Sequence, residues 1–184
     1  MTARIGILGG RFDPPHVGHL ALARAACAQL PIDTLLVTVV AEAAHKAAHA
    51  PVDHRLAMVR LTFGELGARV ELERHRYTVD ALEAYGYDDP IFLVGADQLA
   101  AFPTWKEPER VLELARLGVA ARPGYAPPVD DSERIELFEL EPHDVSSSAI
   151  RARVAGGEPI DGLVVPGVAA YIAEHGLYAG DTST

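Results

Sequence analysis

Apolar positions fall into two periods along the chain, and glycine or proline usually stands where one gives way to the other. Short aliphatic and β-branched runs at Arg4–Leu8, Leu35–Val40, Arg69–Leu72, Ile91–Val94 and Leu117–Ala121 predict buried strands. Between them lie stretches with helical spacing: Val17–Leu30, a helix capped by Asp53 and running through Leu61, and a helix capped by Thr78 and stopped at Gly86. Ala96–Phe102 and Glu107–Leu114 also predict helices, separated by Pro103-Thr104-Trp105. Ile135–Leu140 alternates apolar with acidic residues, as an edge strand does, and Ser147–Val154 and Pro166–His175 predict the last two helices. Gly9-Gly10 reads as a tight turn after the first strand. Ala41–Pro51 and the proline-rich stretch from Pro123 to Pro128 read as loops, and the tail from Gly180 as frayed. Strands alternating with helices predict an α/β fold: one Rossmann-like, doubly wound parallel sheet with helices on both faces.

Composition narrows the function classes. The 184 residues are enough for one domain with its own core. Sixteen basic against 26 acidic residues give a net charge of −10, the wrong sign for a duplex nucleic-acid binder. A bound phosphate would therefore belong to a small ligand held by a few aimed groups. The one cysteine, Cys27, excludes an internal disulfide and a cysteine-rich zinc site. The first apolar run is too short for a signal peptide, and no run reaches the ~18 apolar residues of a membrane span. A soluble cytoplasmic protein is expected.

In an open α/β sheet, ligands bind outside the carboxyl ends of the strands. The first strand is followed by Gly9-Gly10-Arg11-Phe12-Asp13-Pro14-Pro15-His16-Val17-Gly18-His19. The two glycines let backbone approach a phosphate, and the next helix aims its positive N-terminus there. His16 and His19 share one face of that first turn. The spacing matches neither the dinucleotide fingerprint nor the Walker loop. Near the other end, Val145-Ser146-Ser147-Ser148-Ala149-Ile150-Arg151 places hydroxyls at a helix start and an arginine in its first turn, a second arrangement suited to phosphate oxygens. Taken singly, several candidates have plainer readings. Trp105 could be a core aromatic, Thr78 or Asp97 a helix cap, and Lys46 a loop charge.

The first segment resembles the opening motif of the H-x-G-H nucleotidyltransferase superfamily. The second is similar to that superfamily's Ile-Ser-Ser-Thr-x-x-Arg. Arg76-Tyr77-Thr78-Val79-Asp80-Ala81-Leu82, Gly95-Ala96-Asp97, Phe102-Pro103-Thr104-Trp105, Arg122-Pro123-Gly124-Tyr125 and the ending Ile172–Tyr178 resemble the bacterial nicotinate-nucleotide adenylyltransferase family. The likeness spans roughly residues 4 to 178, and 1–184 is expected to form a single nucleotidyltransferase domain. Two departures stand out. Arg11 occupies a position where the family usually carries Thr or Ser, and Ala43-Ala44-His45-Lys46 replaces a proline-rich segment ending in His-Lys.

The resemblance implies transfer of AMP from ATP to nicotinate mononucleotide, giving nicotinate adenine dinucleotide and pyrophosphate in NAD biosynthesis. It implies His16, His19 and Arg151 as catalytic residues. Gly9, Gly10, Phe12, Gly18, Gly95, Asp97, Ser147 and Ser148 would join them in binding ATP. Lys46, Tyr77, Thr78, Trp105 and Arg122 would bind the mononucleotide. Mg²⁺ would arrive with ATP, held mainly by its phosphates rather than by protein ligands. The partners are these small substrates, with no nucleic acid or membrane, and oligomeric state stays open, a homo-oligomer included. Alternatives are adenylyl transfer to nicotinamide mononucleotide or phosphopantetheine, or a nucleotide-sensing module without turnover. A fragment of a tRNA synthetase is disfavoured by length, acidity and the lack of a lysine-rich signature loop.

Overall fold

The computed structural model describes residues 4–41, 48–121 and 133–180. Six strands form one parallel sheet: β1 Ile5–Gly10, β2 Thr34–Val40, β3 Arg69–Glu73, β4 Ile91–Gly95, β5 Arg116–Ala121 and β6 Ile135–Glu139. Their order across the sheet is β3-β2-β1-β4-β5-β6. The chain winds outward from β1 to β3, returns to the middle for β4, and winds outward again to β6. This is the doubly wound arrangement expected from the sequence, with Ile135–Glu139 at one edge.

The helices are α1 Val17–Gln29, α2 Val52–Phe63, α3 Thr78–Tyr85, α4 Ala96–Ala101, α5 Pro108–Leu114, α6 Ser147–Ala155 and α7 Pro166–Glu174. Strand side chains alternate between faces, so each strand feeds two cores. Leu8, Leu35, Val37, Val39 and Leu93 pack with Leu20 and Ala23 of α1 and Leu56, Val59 and Phe63 of α2. Ile7, Leu36, Val94, Leu117 and Val119 face the other way, against Val79 and Leu82 of α3, Leu99 of α4 and Val111 of α5. A third cluster joins Met58 of α2, Ile150 of α6 and Val168 and Ile172 of α7. It fastens the C-terminal helices beside the first half of the sheet.

Several expected boundaries move, for reasons of backbone geometry. Gly9 and Gly10 belong to β1, where both pair with β2, and the turn begins only at Arg11. The cap of α2 is Pro51, and Asp53 lies inside the first turn, where its charge still complements the helix dipole. The cap of α3 is Tyr77, and Thr78 is the first helical residue. Glu107 precedes Pro108 as the cap of α5, with a left-handed φ of 51°. The tail residues 181–184 and most of the two expected loops, 42–47 and 122–132, lie outside the described residues. Among the described residues no helix is long and apolar enough to cross a membrane.

Gly118 in β5 shows how tightly the sheet and α1 are packed. A Cβ there would sit 2.8 Å from side-chain carbons of both Ile91 and Leu93, and 2.9 Å from Leu30. Gly118→Val should therefore destabilise the fold by about 1–3 kcal/mol through overpacking. Urea unfolding checks this, and an unchanged midpoint would show that the layer gives way freely.

Candidate active site

The site lies where the sheet changes direction. β1 and β2 pair along their whole length, but the β1–β4 ladder contains only Gly6–Ile91 and Ile7–Phe92. Beyond Ile7 these two neighbouring strands part, and a cleft of about 870 Å³ opens at their carboxyl ends. This is the crevice in which such sheets bind ligands.

The turn after β1 forms the floor. Phe12 has a left-handed φ of 49°, and the Asp13–Pro14 peptide is cis. The Phe12 ring is buried edge-on against His19 and Phe63. Gly10 makes room for it, since a Cβ there would fall 2.9 Å from the ring.

His16 caps α1, and its ring stacks on that of His19 at 3.6 Å between centroids. Gly18 permits this, because a Cβ there would stand 3.2 Å from His16 Nδ1. The His16 backbone N–H donates to His19 Nδ1 at 3.2 Å. That bond requires Nδ1 to be the unprotonated nitrogen, which leaves His19 Nε2 as the N–H donor. Burial disfavours charge on both rings. It holds His19 down to about 3, with His16 adding to the effect, and His16 down to about 4, with His143 adding. His16 Nδ1 is buried without a hydrogen bond. The cleft thus presents neutral imidazole edges, ready to donate to anionic oxygens.

Asp13, 2% exposed, holds this turn in place. Its carboxylate accepts from the N–H groups of His49 and Ala50 at 2.7 and 3.1 Å and from the Tyr178 hydroxyl at 2.8 Å. Burial alone would raise its pKa, but these donors and the nearby Arg151 charge outweigh it and keep the group below its ordinary value. Burial and the Asp13 charge push Tyr178 upward, so its hydroxyl stays a donor. Arg55, 1% exposed, binds the same region from beneath. It donates to the carbonyls of Ala50, Arg11, Val40 and Ala41. Arg11 lines the cleft with its guanidinium turned toward Asp13, 3.6 Å from Oδ2.

The second motif closes over this turn. Ser146 caps α6 by accepting from the Ala149 N–H, and Ser147 Oγ donates to the Pro14 carbonyl at 2.8 Å. Arg151 donates to the Asp13 carbonyl at 2.6 Å and to Ser148 Oγ at 3.3 Å. Two motifs separated by most of the chain meet here through backbone atoms.

The opposite wall is aromatic. Trp105 packs edge-on to Phe92 and Phe102 and still lines the cleft, so it is both a core residue and a surface for a flat ring. Tyr77 carries Lys106 Nζ at 5.2 Å from its ring centroid, and Lys106 pairs with Asp80 at 2.6 Å. Below them, buried Glu73 accepts from Tyr85 and His75.

Gly9, Gly10, Phe12, His16, Gly18, His19, Tyr77, Thr78, Gly95, Asp97, Trp105, Ser147, Ser148 and Arg151 all border this one cleft. Lys46 and Arg122 lie outside the described residues. Asp97 is the second residue of α4 and Gly95 its cap, so Asp97 does not cap that helix. The supporting roles of Arg55, Glu73 and His143 have no marker in the sequence beyond their polarity, and Tyr178 belongs to the C-terminal segment that resembles the family but carried no role there. Among the described residues no group of three His, Cys, Asp or Glu side chains could hold a metal ion.

Residues 7–153 match the cytidylyltransferase-like family model. A protein of Roseiflexus sp. (strain RS-1), named a probable nicotinate-nucleotide adenylyltransferase, is 40% identical, covering 96% of this chain and 98% of its own. One of the same name from Bordetella petrii is 41% identical over 95% of this chain and 98% of its own. The nicotinic acid mononucleotide adenylyltransferase of Plasmodium falciparum, solved in complex with NaAD, superposes with a TM-score of 0.77. That match covers 96% of this chain and 98% of the other, and at 19% identity it reports the fold. The match over residues 7–153 makes the chain a nucleotidyltransferase of the cytidylyltransferase-like class. Within that class, the chain belongs to the nicotinate-nucleotide adenylyltransferase family.

Two measurements test the site's electrostatics. In the unfolded chain both histidines take up protons near pH 6.5, whereas in the fold they resist until about pH 4 and about pH 3. The stability this linkage governs is therefore fully present above about pH 6.5 and is lost progressively as pH falls from there to the folded values of about 4 and about 3. His19→Asn should flatten the loss between pH 6 and 4.5 by about one proton per molecule in urea titrations. Parallel curves for variant and wild type would contradict the neutral assignment. Separately, Tyr178→Phe should cost about 1–2 kcal/mol, since Asp13 loses one of its donors. Thermal unfolding reads this directly, and no loss would mean that the hydroxyl contributes nothing net.

Proposed function

We propose that this chain transfers the adenylyl group of ATP to nicotinate mononucleotide, forming nicotinate adenine dinucleotide and pyrophosphate as a step in NAD biosynthesis. The observation that carries the proposal is the polarity of the cleft. His16, His19, Ser147 and Arg151 gather about the turn after β1, and Tyr77 and Thr78 at the start of α3 and Trp105 before α5 line the same cleft. A triphosphate suits the first and a pyridine ring the second. The kinship with proteins named for this activity supports the same pairing.

The mononucleotide's 5′-phosphate is already anionic, so it needs no general base. One of its oxygens forms a bond to the α-phosphorus of ATP as the bond to the bridging oxygen breaks and pyrophosphate leaves. Catalysis is then alignment plus stabilisation of charge spreading over the phosphate oxygens. His19 Nε2–H and the His16 ring serve the α- and β-phosphates. Ser147, Ser148 and Arg151 hold the pyrophosphate end. Gly9, Gly10, Phe12 and Gly18 shape the phosphate turn, and Gly95 and Asp97 border the adenosine. Trp105 stacks on the pyridine ring. Roles for Lys46 at the mononucleotide phosphate and for Arg122 rest on family likeness alone. Mg²⁺ enters with the triphosphate, and no step is assigned to it.

A pyrophosphate-release assay with ATP and a panel of nicotinate mononucleotide, nicotinamide mononucleotide and phosphopantetheine tests the proposal. The acid should be preferred over the amide by at least about tenfold in kcat/KM, because charge-assisted bonds favour a carboxylate. His19→Ala should lower kcat by about 10²–10³-fold and change ATP affinity far less. Equal use of the amide would move the chain to the amide-using branch. ATP binding with no pyrophosphate release from any partner would leave a nucleotide sensor instead.

A further inference from the structure

The connection from β3 to α3 is short, and one buried side chain holds both the connection and the far end of the helix. Glu73 is the last residue of β3 and is 6% exposed. Its Oε1 accepts from the His75 backbone N–H at 2.6 Å and from His75 Nδ1 at 2.7 Å, inside the connecting turn. Its Oε2 accepts from the hydroxyl of Tyr85, the last residue of α3. Buried Thr38 of β2 hydrogen-bonds to the same phenol. The Glu73 carbonyl accepts from the Ala41 N–H just beyond β2 at 2.8 Å. Both carboxylate oxygens are thus engaged by the chain itself.

Tyr77 caps α3 and Thr78 opens it, between the two groups that Glu73 holds, and both line the cleft. The other contacts of α3 constrain it less sharply. Val79 and Leu82 pack into the core, and apolar packing has no preferred direction. The pairs Asp80–Lys106 and Glu83–Arg110 lie at the surface, where such bridges contribute little. Bonds to a buried carboxylate are directional and charge-assisted, so they fix where the helix starts relative to β3.

We propose that Glu73 is a positioning residue for the mononucleotide: by holding His75 and Tyr85 it sets where Tyr77 and Thr78 stand in the cleft, and so governs binding of that substrate and not of ATP. This rests on the functional reading above, which gives Tyr77 and Thr78 to the mononucleotide and the turn after β1 to the triphosphate. Glu73 acts through those residues rather than on the substrate. The turn after β1 is held by Asp13 and Arg55, through bonds that do not involve the Glu73 side chain. Loss of the carboxylate should therefore be felt by one substrate only.

Three variants separate positioning from mere support. Glu73→Ala removes every side-chain bond. Tyr85→Phe removes the bond to α3 and keeps the ring. Glu73→Gln keeps a carbonyl oxygen for the His75 donors and offers its NH₂ to the phenol oxygen, which accepts once its own proton turns to Thr38. Steady-state pyrophosphate release is measured with ATP and nicotinate mononucleotide, each varied while the other saturates. Glu73→Ala should raise the mononucleotide KM by about tenfold or more and leave kcat and the ATP KM within about threefold. Tyr85→Phe should raise the same constant by about three- to tenfold. Glu73→Gln should recover most of the loss, and equilibrium ATP binding should match wild type in all three. A purely structural role would lower the melting temperature and the active fraction, and hence the apparent kcat, with both KM values unchanged. That result, or a rise in both KM values together, overturns the inference, while wild-type turnover still upholds the proposed activity. If Glu73→Ala does not fold, Tyr85→Phe decides by the same criterion. Absence of turnover of nicotinate mononucleotide by the wild type overturns both.

Discussion

Two buried charges hold the phosphate turn in shape, and the site depends on them. Asp13 and Arg55 are both almost fully enclosed, yet they do not form the familiar pair of opposite charges in direct contact. Each instead binds groups from several parts of the chain. Asp13 collects N–H and O–H donors from the segment before α2 and from the C-terminal end. Arg55 collects carbonyls from the ends of β1 and β2 and from Ala50. A turn after a parallel strand leaves many backbone groups without ladder partners, and enclosing them is costly unless they are satisfied. The carboxylate answers the donors and the guanidinium answers the acceptors. The left-handed Phe12 and the stacked histidines are then held by their surroundings rather than by local preference.

Under the proposed function, an acidic chain thereby builds a site for polyanions. The net charge is −10, while the described cleft presents neutral imidazole edges, hydroxyls and Arg151 anchored to backbone, with Arg11 and Arg76 also lining it. Neutral donors in an enclosed site need little reorganisation when phosphate arrives, and they gain strength from the low dielectric. Keeping His16 and His19 uncharged also avoids mutual repulsion between rings whose centroids are 3.6 Å apart.

Much of this was legible in the sequence. The alternation of periods pointed to the parallel α/β sheet, and motif spacing singled out His16, Gly18, His19, Ser147 and Arg151, which all border one cleft, while the roles assigned to them came with the family resemblance. Thr78 and Asp53 were misplaced by one or two positions, because a helix start depends on where the preceding backbone turns as much as on the hydroxyl or carboxylate available. Gly9-Gly10 read as a turn because glycine breaks a strand pattern, yet pairing with β2 carries the strand through both. The partners of Arg55 were opaque for another reason, as were those of Tyr178, although its segment resembles the family. An arginine in an amphipathic helix and a tyrosine near the end of the chain are ordinary surface residues until the fold brings buried partners to them. The same holds for Glu73 and His75, whose contact arises from a turn that no motif announces.

The link from Tyr178 to Asp13 spans nearly the whole polypeptide. Arg151, which donates to the Asp13 carbonyl, lies almost as far from it along the sequence. The turn after β1 is therefore shaped by side chains 138 and 165 positions downstream, and a fragment holding only the first half of the sheet lacks two of the donors that bind Asp13.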